Sequence, residues 1–417
     1  MRTSSSIAAI LLLATACSGG DMMGGGAASV VQRDSAGIAI SEYSAAAIEA
    51  APTWAISETP MAVIGADESD TTLDLSTGAF GGLLSDGGLI VATARPALIY
   101  RFGPDGAPLG TLGRAGQGPG EFNFIQNVHL LPGDTILAFE IARRKSILYL
   151  ADGTFIGERD IPLSTDRQIP PLMRGRLRDG TLVHSGEALL PQAPGGPEKV
   201  FRMDLPIFSL APEATEYDTM LVTRSAQMYA SSISAMGQTM PMARPVAFGP
   251  SPLITVGEEL TWVSTGDVGE VAAFRLGART PVQLVRFEMT PRTVTDADRQ
   301  RYKDEAREAF KNFEQMMPPG MLESEIEKLE QTIFANEFPA LGQLLTDKTG
   351  RIWVGTGVAF GDTERAWMVL APTGELIGRV TLPEGDLFAA TSDRVVIRRT
   401  DDVTGMVRFE IWGLTEN

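Results

Sequence analysis

A carboxylate, an imidazole and a guanidinium at equivalent points of a repeated strand are the residues here best suited to do chemistry. Aligning the short apolar runs LIVAT, TILAFE, TLVHS, LTWVST, RIWVGT and RVVIRR brings Thr93, Glu140, His184, Thr265, Thr356 and Arg399 to comparable positions. If the runs are strands of one ring, their polar ends reach a common mouth, where they line a site or are simply solvated strand ends. A second set lies close by in sequence. Arg174, Arg176 and Arg178 alternate along one strand-like run and so share one side of it. Guanidiniums held there need carboxylate partners or an anionic ligand. Glu140, Arg174, Arg176, His184, Thr265 and Arg399 are therefore the candidate ligand-binding residues, and no catalytic residue is assigned.

The usual catalytic and metal motifs are missing. His129 and His184 are the two histidines of the chain, too few for a three-histidine metal site. No G-x-S-x-G elbow is present. Asp67, Asp70 and Asp74 lack calcium-loop spacing and read as a solvated stretch. Met236, Met240 and Met242 have a spacing that thioether ligands for Cu(I) can use. Taken with Met220 and Met228, the cluster reads first as adaptable packing. No cofactor and no resident metal is expected.

What must position these residues is a repeat. The unit is a strand, a turn with Asp or Gly, a second strand, a polar loop, a third strand, a tight turn and a fourth. Its first turn is SDGG ending at Gly88, PGD at Gly133, RDG at Gly180, GEE at Gly257, KTG at Gly350 and SDR at Asp393. Its second turn is written three times in one pattern, FGPDGAPLG from Phe102, LADGTFIG from Leu150 and LAPTGELIG from Leu370. Gly and Asp suit such turns because hairpins need φ > 0. The first turns are 45, 47, 77, 93 and 43 residues apart. Three spacings fit a four-stranded propeller blade of about 40 to 50 residues. Setting aside residues 221–245 and 294–335 brings the long ones to 52 and 51. The expected fold is all-β: a six-bladed β-propeller of four-stranded antiparallel blades over residues 37–417, with an inserted α-helical hairpin. The last unit offers three strands. TPMAVIG shares the spacing of APLGTLG, so Pro60 to Ile64 is the expected closing strand, with residues 37–43 as an added edge.

Strand parity puts the links between second and third strands, the links between units, the loop 186–198 and both insertions on one face. The insertion 294–335 reads as a helical hairpin. Thr295 and Asp298 form a capping pair, and Tyr302, Ala306, Ala309, Phe310, Phe313 and Met317 follow at helical spacing. Pro318, Pro319 and Gly320 break the run before Leu322, Ile326, Leu329 and Ile333 resume it. It packs on the rim or acts as a lid. The insertion 221–245 reads as a Met-rich loop.

Between the first two units runs LGRAGQGPGEF, Leu112 to Phe122. Four glycines and Pro119 within eight positions make it a connector. Its spacing fits neither G-x-G-x-x-G nor a P-loop, and a strand follows where phosphate binding asks for a helix N-terminus. On these residues the chain resembles the connector of NHL-like repeats, in particular of bacterial six-bladed β-propeller lipoproteins. That resemblance implies a propeller, most members of the family having no assigned activity. Amidating lyases and propeller lactonases are similar in fold. The zinc arrangement of the lyases would be strained with two histidines. The lactonases' divalent metal asks for Glu, Asn and Asp, and of the asparagines only Asn123 and Asn127 lie near a mouth.

Residues 1–17 have the form of a lipoprotein signal peptide. Arg2 precedes an apolar run, Ile7 to Ala14, that is too short to span a bilayer. Cys17, the one cysteine of the chain, follows Ala14, Thr15 and Ala16, which resemble a bacterial lipoprotein cleavage box with its Leu displaced to Leu13. Cys17 is the expected lipidation site, residues 18–36 a flexible tether, and the membrane a partner through the anchor. Ser18 in place of Asp favours, by resemblance, the outer membrane of the cell envelope, facing periplasm or surface. The net charge of -17, from 52 acidic and 35 basic residues without a dense basic run, argues against nucleic acid. The expectation is a binding or scaffold module for an unidentified small molecule or protein. A hydrolase or lyase at the central mouth is the alternative.

Overall fold

Short runs of alternating apolar residues make strands, and complete burial of the middle runs in each group makes those strands central. The computed structural model describes residues 28–65, 75, 78–94, 96–163, 171–186, 200–235, 238–312, 321–358, 362–401 and 406–416. The architecture is mostly β, in antiparallel sheets. Sheet one orders Gly78–Leu83, Leu89–Thr93, Leu98–Phe102 and Pro108–Leu112. Sheet two orders Ile125–Leu131, Thr135–Glu140, Lys145–Tyr149 and Phe155–Asp160, and sheet three Leu172–Arg176, Leu182–Ser185, Asp204–Leu210 and Asp218–Arg224. Sheet four is built on Leu253–Val256, Leu260–Ser264, Glu270–Arg275 and Gln283–Phe287. Sheet five orders Leu341–Thr346, Ile352–Thr356, Glu364–Leu370 and Leu376–Pro383, and sheet six is built on Asp386–Ala390, Arg394–Thr400 and Val407–Thr415.

The first strand of each sheet lies beside the first strand of the next, and that of sheet six lies beside that of sheet one. Apolar side chains fill the spaces between neighbours. Ile90, Ile99, Ile136 and Ile147 meet between sheets one and two, Trp353, Val380, Leu387 and Ile397 between five and six, and Val91, Val396 and Phe409 between six and one. Each such side chain contributes about 1.5–3 kcal/mol by leaving water.

The N-terminal segment fastens three sheets from outside. Val30–Ser35 and Ile38–Tyr43 form a hairpin through Ala36 and Gly37, with φ of 55° and 81°. Ile38–Tyr43 pairs in parallel with Gln283–Phe287, extending sheet four. Tyr43 stacks on Phe287 with centroids 5.9 Å apart, and its hydroxyl accepts from Leu376 N at 2.9 Å on sheet five. Ala55–Ile56 then pairs with Leu414 and Thr415, and Ala62–Ile64 with Phe409 to Ile411. The strand expected at Pro60 to Ile64 thus sits on the last strand of the chain. The expected tether 18–36 needs correcting, because residues 30–35 are a strand. Their residues are all exposed, so no apolar alternation marks them, and backbone pairing holds them with one exposed ion pair, Arg33 to Glu42 at 3.2 Å.

The first insertion also differs from expectation. Sheet three runs through its boundary to Arg224, with Met220 and Leu221 buried. Beyond it Met228–Ala235 pairs with Gln238–Pro245, so the segment is a β-hairpin and not a loop. The second insertion contains the helices Asp296–Asn312 and Met321–Glu330. Thr295 N donates to Asp298 Oδ2 at 2.8 Å and Asp298 N to Thr295 Oγ1 at 3.2 Å, the reciprocal cap that the spacing suggests. Lys303 and Arg307 of the first helix both reach Glu330 of the second. The roots of the two insertions are joined. Ala247 N donates to Ile333 O and Ala335 N to Ala247 O, both at 2.9 Å. Phe248 lies against Tyr302, Phe334 and Phe338, with centroids 5.5, 5.6 and 4.8 Å away. Residues 1–27 with Cys17, the Asp67, Asp70 and Asp74 patch, most of the loop 186–198, Met236, Phe313 and the segment Met317 to Gly320 lie outside the described residues.

Candidate functional site

Five of the six second-strand ends are occupied with their own neighbourhood. Thr93, fully buried, donates through Oγ1 to Pro96 O at 2.6 Å. Glu140, also fully buried, accepts from Phe124 N at 3.0 Å, Ala142 N at 3.3 Å and Arg143 N at 2.8 Å, and pairs with Arg143 Nε at 3.3 Å. Thr265 donates to Asp267, and its carbonyl accepts from Arg202 at 2.9 Å. Thr356 Oγ1 donates to Ala366 O at 3.2 Å, and Arg399 pairs with Glu410 at 3.5 Å. A strand that ends in a turn leaves backbone groups unpaired, and a polar side chain at that point satisfies them. Most of this set stitches the link to the third strand, a role that types and spacing did not separate from ligand contact.

His184 is the exception. It is fully buried, neither ring nitrogen has a partner, and it stands edge-on to Phe139 and Tyr217 with centroids 6.0 and 5.1 Å away. The Tyr217 hydroxyl beside it is likewise unpartnered, and burial raises its pKa. His129, on the first strand of sheet two, has a buried Nε2 without a partner. Burial, with His129 adding to it, pushes His184 down to about 3. Burial, reinforced by Arg174, pushes His129 down to about 4. Both imidazoles are neutral at ordinary pH. The structure thus brings the two histidines within electrostatic reach at the contact of sheets two and three, a proximity that 54 intervening positions of sequence conceal.

The arginines divide. Arg178 is exposed and pairs with Glu258 and, at 3.4 Å, with Glu259, which is the carboxylate solution. Arg174 Nε donates to Ser185 Oγ at 2.8 Å. Arg176 is half-buried and has no carboxylate partner among the described residues. Glu140, His184 and Arg399 are not brought into contact. The hydrogen bonds of Glu140 stay within sheet two, Arg399 pairs within sheet six, and His184 has ring neighbours only.

A contact that no motif announced crosses between sheets two and five. Lys348 Nζ reaches Asp134 Oδ1 at 2.6 Å, and Ser85 N of sheet one donates to the same carboxylate at 3.0 Å. Burial favours the protonated acid, but the bonds from Lys348 and Ser85 outweigh it and hold Asp134 below the usual carboxylate range. Asp134 adopts φ 55°, which turns its carboxylate to face Lys348 at some backbone cost.

Two clefts lie away from the histidines, and Thr356 is among the residues that line the second. A 340 Å³ cleft lies between the two insertions and the rim of sheet four, with Gln227, Val246, Asp267, Phe334, Asn336 and Glu337 among its walls. Thr265 borders it through its bond to Asp267. A 280 Å³ cleft lies between sheets four and five. Among the described residues no cluster of three His, Cys, Asp or Glu could hold a metal, and no helix is long and apolar enough to cross a membrane.

The connector Leu112 to Phe122 is a link between sheets one and two. Arg114–Ala115 pairs with Glu121–Phe122, and the Glu121 carboxylate accepts from Gly118 N at 2.7 Å and Arg114 Nε at 2.5 Å. Those bonds, the backbone one first, hold Glu121 below its ordinary pKa. Phe122 is fully buried between the sheets. The GPGEF motif is thus a clasp, bonded to itself through Glu121 and held to sheet two by Arg143 and Tyr149, which donate to its carbonyls.

No protein-family model matches the chain, and no curated protein matches it in sequence. Among solved structures it is similar to a protein of Bacteroides fragilis described as exported, at 13% identity over 91% of this chain and 99% of that one, with a TM-score of 0.46. It is similar to virginiamycin B lyase from Staphylococcus aureus at 10% identity, 87% and 100% coverage and a TM-score of 0.38. A gluconolactonase from Xanthomonas campestris is 12% identical over 81% and 87%, with a TM-score of 0.40. The likeness is a distant one, shared by exported proteins and enzymes alike. It does not single out a lipoprotein family.

Proposed function

We propose that this chain is an exported, lipid-anchored six-bladed β-propeller that works as a binding module, and that its binding surface is the cleft between the two insertions. The six sheets serve as blades. Support for a closed ring comes from the cyclic neighbourhood of their first strands and from the pairing of Ala62–Ile64 with Val407–Thr415. The observation that carries the binding reading is the joined pair of insertions, which enclose a 340 Å³ cleft with carboxylates, amides and apolar groups in its wall. Cys17 carries the anchor, and the protein sits at the outer membrane facing periplasm or surface. Its partner is a small molecule or a protein.

Deleting residues 294–335 tests this. The expected outcome is a folded β protein that no longer retains what copurifies with the full chain from a detergent extract. Retention of the same partner by the deleted form would end the proposal. Palmitate incorporation that disappears with Cys17→Ser checks the anchor separately.

The alternative, a hydrolase or lyase at the central mouth, is favoured by one observation: His129 and His184 lie within electrostatic reach of each other, His129 Nε2 and both His184 nitrogens lack side-chain hydrogen-bond partners, and the charge of Arg174 acts on His129. On that reading, His129→Ala abolishes turnover of an ester or lactone panel, and the 294–335 deletion leaves turnover in place.

A further inference from the structure

We propose that the cleft between sheets four and five binds a small monocarboxylate with an apolar tail, the carboxylate meeting Arg379. The cleft has a volume of 280 Å³, and Ile48, Met289, Trp367, Met368 and Val380 supply its apolar wall. Arg379 belongs to Leu376–Pro383 and stands directly across from Met368. Its backbone is fully engaged, N donating to Pro52 O at 2.8 Å and O accepting from Trp54 N at 2.7 Å. Its side chain is not. Nε is buried with no hydrogen-bond partner, and Arg379 forms no ion pair among the described residues. A buried Nε without an acceptor is costly, and the planar fork of this half-buried side chain matches a carboxylate.

The rim narrows the ligand class further. Glu49 and Glu288 line the same cleft, both exposed, and Glu288 Oε2 accepts from Ala45 N at 3.1 Å. Their charge repels a second anionic group, which favours one carboxylate at Arg379 and an uncharged remainder. Met289 and Met368 are unbranched and polarizable, so they adapt to a flexible tail and do not demand one shape. This site is separate from the cleft between the insertions and stands or falls without it.

The test uses the full chain carrying Cys17→Ser, which removes the expected anchor and the need for detergent, and octanoate as probe. Calorimetric titration should give saturable one-to-one binding with a change in tryptophan emission. From hexanoate to octanoate, affinity should rise about fourfold per methylene. Arg379→Gln should weaken octanoate binding at least tenfold with an unchanged melting temperature. Met289→Asp, on the opposite wall, is the second variant should the first fail to fold, and it should weaken binding as much. Octylamine and the dicarboxylate suberate should bind at least tenfold more weakly than octanoate. The proposal is overturned if octanoate does not saturate, if both variants bind it normally, or if octylamine or suberate binds as tightly.

Discussion

Sequence alignment sets Glu140 and His184 at the same place in neighbouring units, and both are fully buried, Glu140 ending its strand and His184 standing one residue before the end of Leu182–Ser185. Their surroundings are opposite. Glu140 accepts from three backbone N–H groups and meets Arg143. His184 has aromatic rings on two sides and no hydrogen bond. A buried charge survives only where every lone pair is used, so Glu140 is a structural knot that shapes the turn after its strand. An imidazole can instead discard its charge, and His184 does so by a large drop in pKa. Equivalent repeat positions therefore do not mean equivalent roles.

The comparison can be broken most readily at Glu140. Glu140→Ala leaves three N–H groups and a guanidinium without their acceptor, and should cost about 3–4 kcal/mol in urea unfolding. A loss under about 1 kcal/mol would show that the turn holds without it.

Acid acts on the other partner. The folded pKa values of His184 and His129 lie below the unfolded value, so the unfolded chain binds more protons as pH falls below about 6.5. Stability is complete above that pH and is lost progressively toward the folded values of about 4 and about 3. For His184 the loss between pH 7 and pH 4 should be about 3 kcal/mol. His184→Phe, which replaces one ring by another and removes both unpartnered nitrogens, should change stability at pH 7 by less than about 1 kcal/mol and flatten the acid loss. An unchanged acid profile in that variant would refute the assignment.

The smallest effect belongs to a cross-tie that is neither of these. Lys348→Met removes a partly shielded ion pair with Asp134, and should cost roughly 1 kcal/mol, falling further at high salt. Thermal melts at two salt concentrations measure it. A larger cost than at Glu140 would mean that the tie between sheets two and five outranks local turn chemistry.

Much of the architecture was legible because it is local. Gly106, Gly153 and Gly374 close three copies of one turn with φ of 83°, 94° and 78°, and their sequences are nearly the same word. The reciprocal cap of Thr295 and Asp298 spans three residues. The clasp at Glu121 could be seen as a connector, although its carboxylate's task could not. The strand Val30–Ser35 was missed because nothing in its composition records the pairing that holds it.

The sequence by itself determined most of the strand runs, their turns, and a strand near the N-terminus that pairs with the last strand of the chain. Each of these depends on backbone preference and on burial within a few residues. Tertiary structure alone decided that His129 and His184 come within electrostatic reach, that Lys348 reaches Asp134, that Arg379 borders an apolar cleft with its Nε unpartnered, and that two separate insertions share one root. Those outcomes depend on which distant side chains are left facing one another once the sheets have assembled, and a linear order of residues carries no distance of that kind.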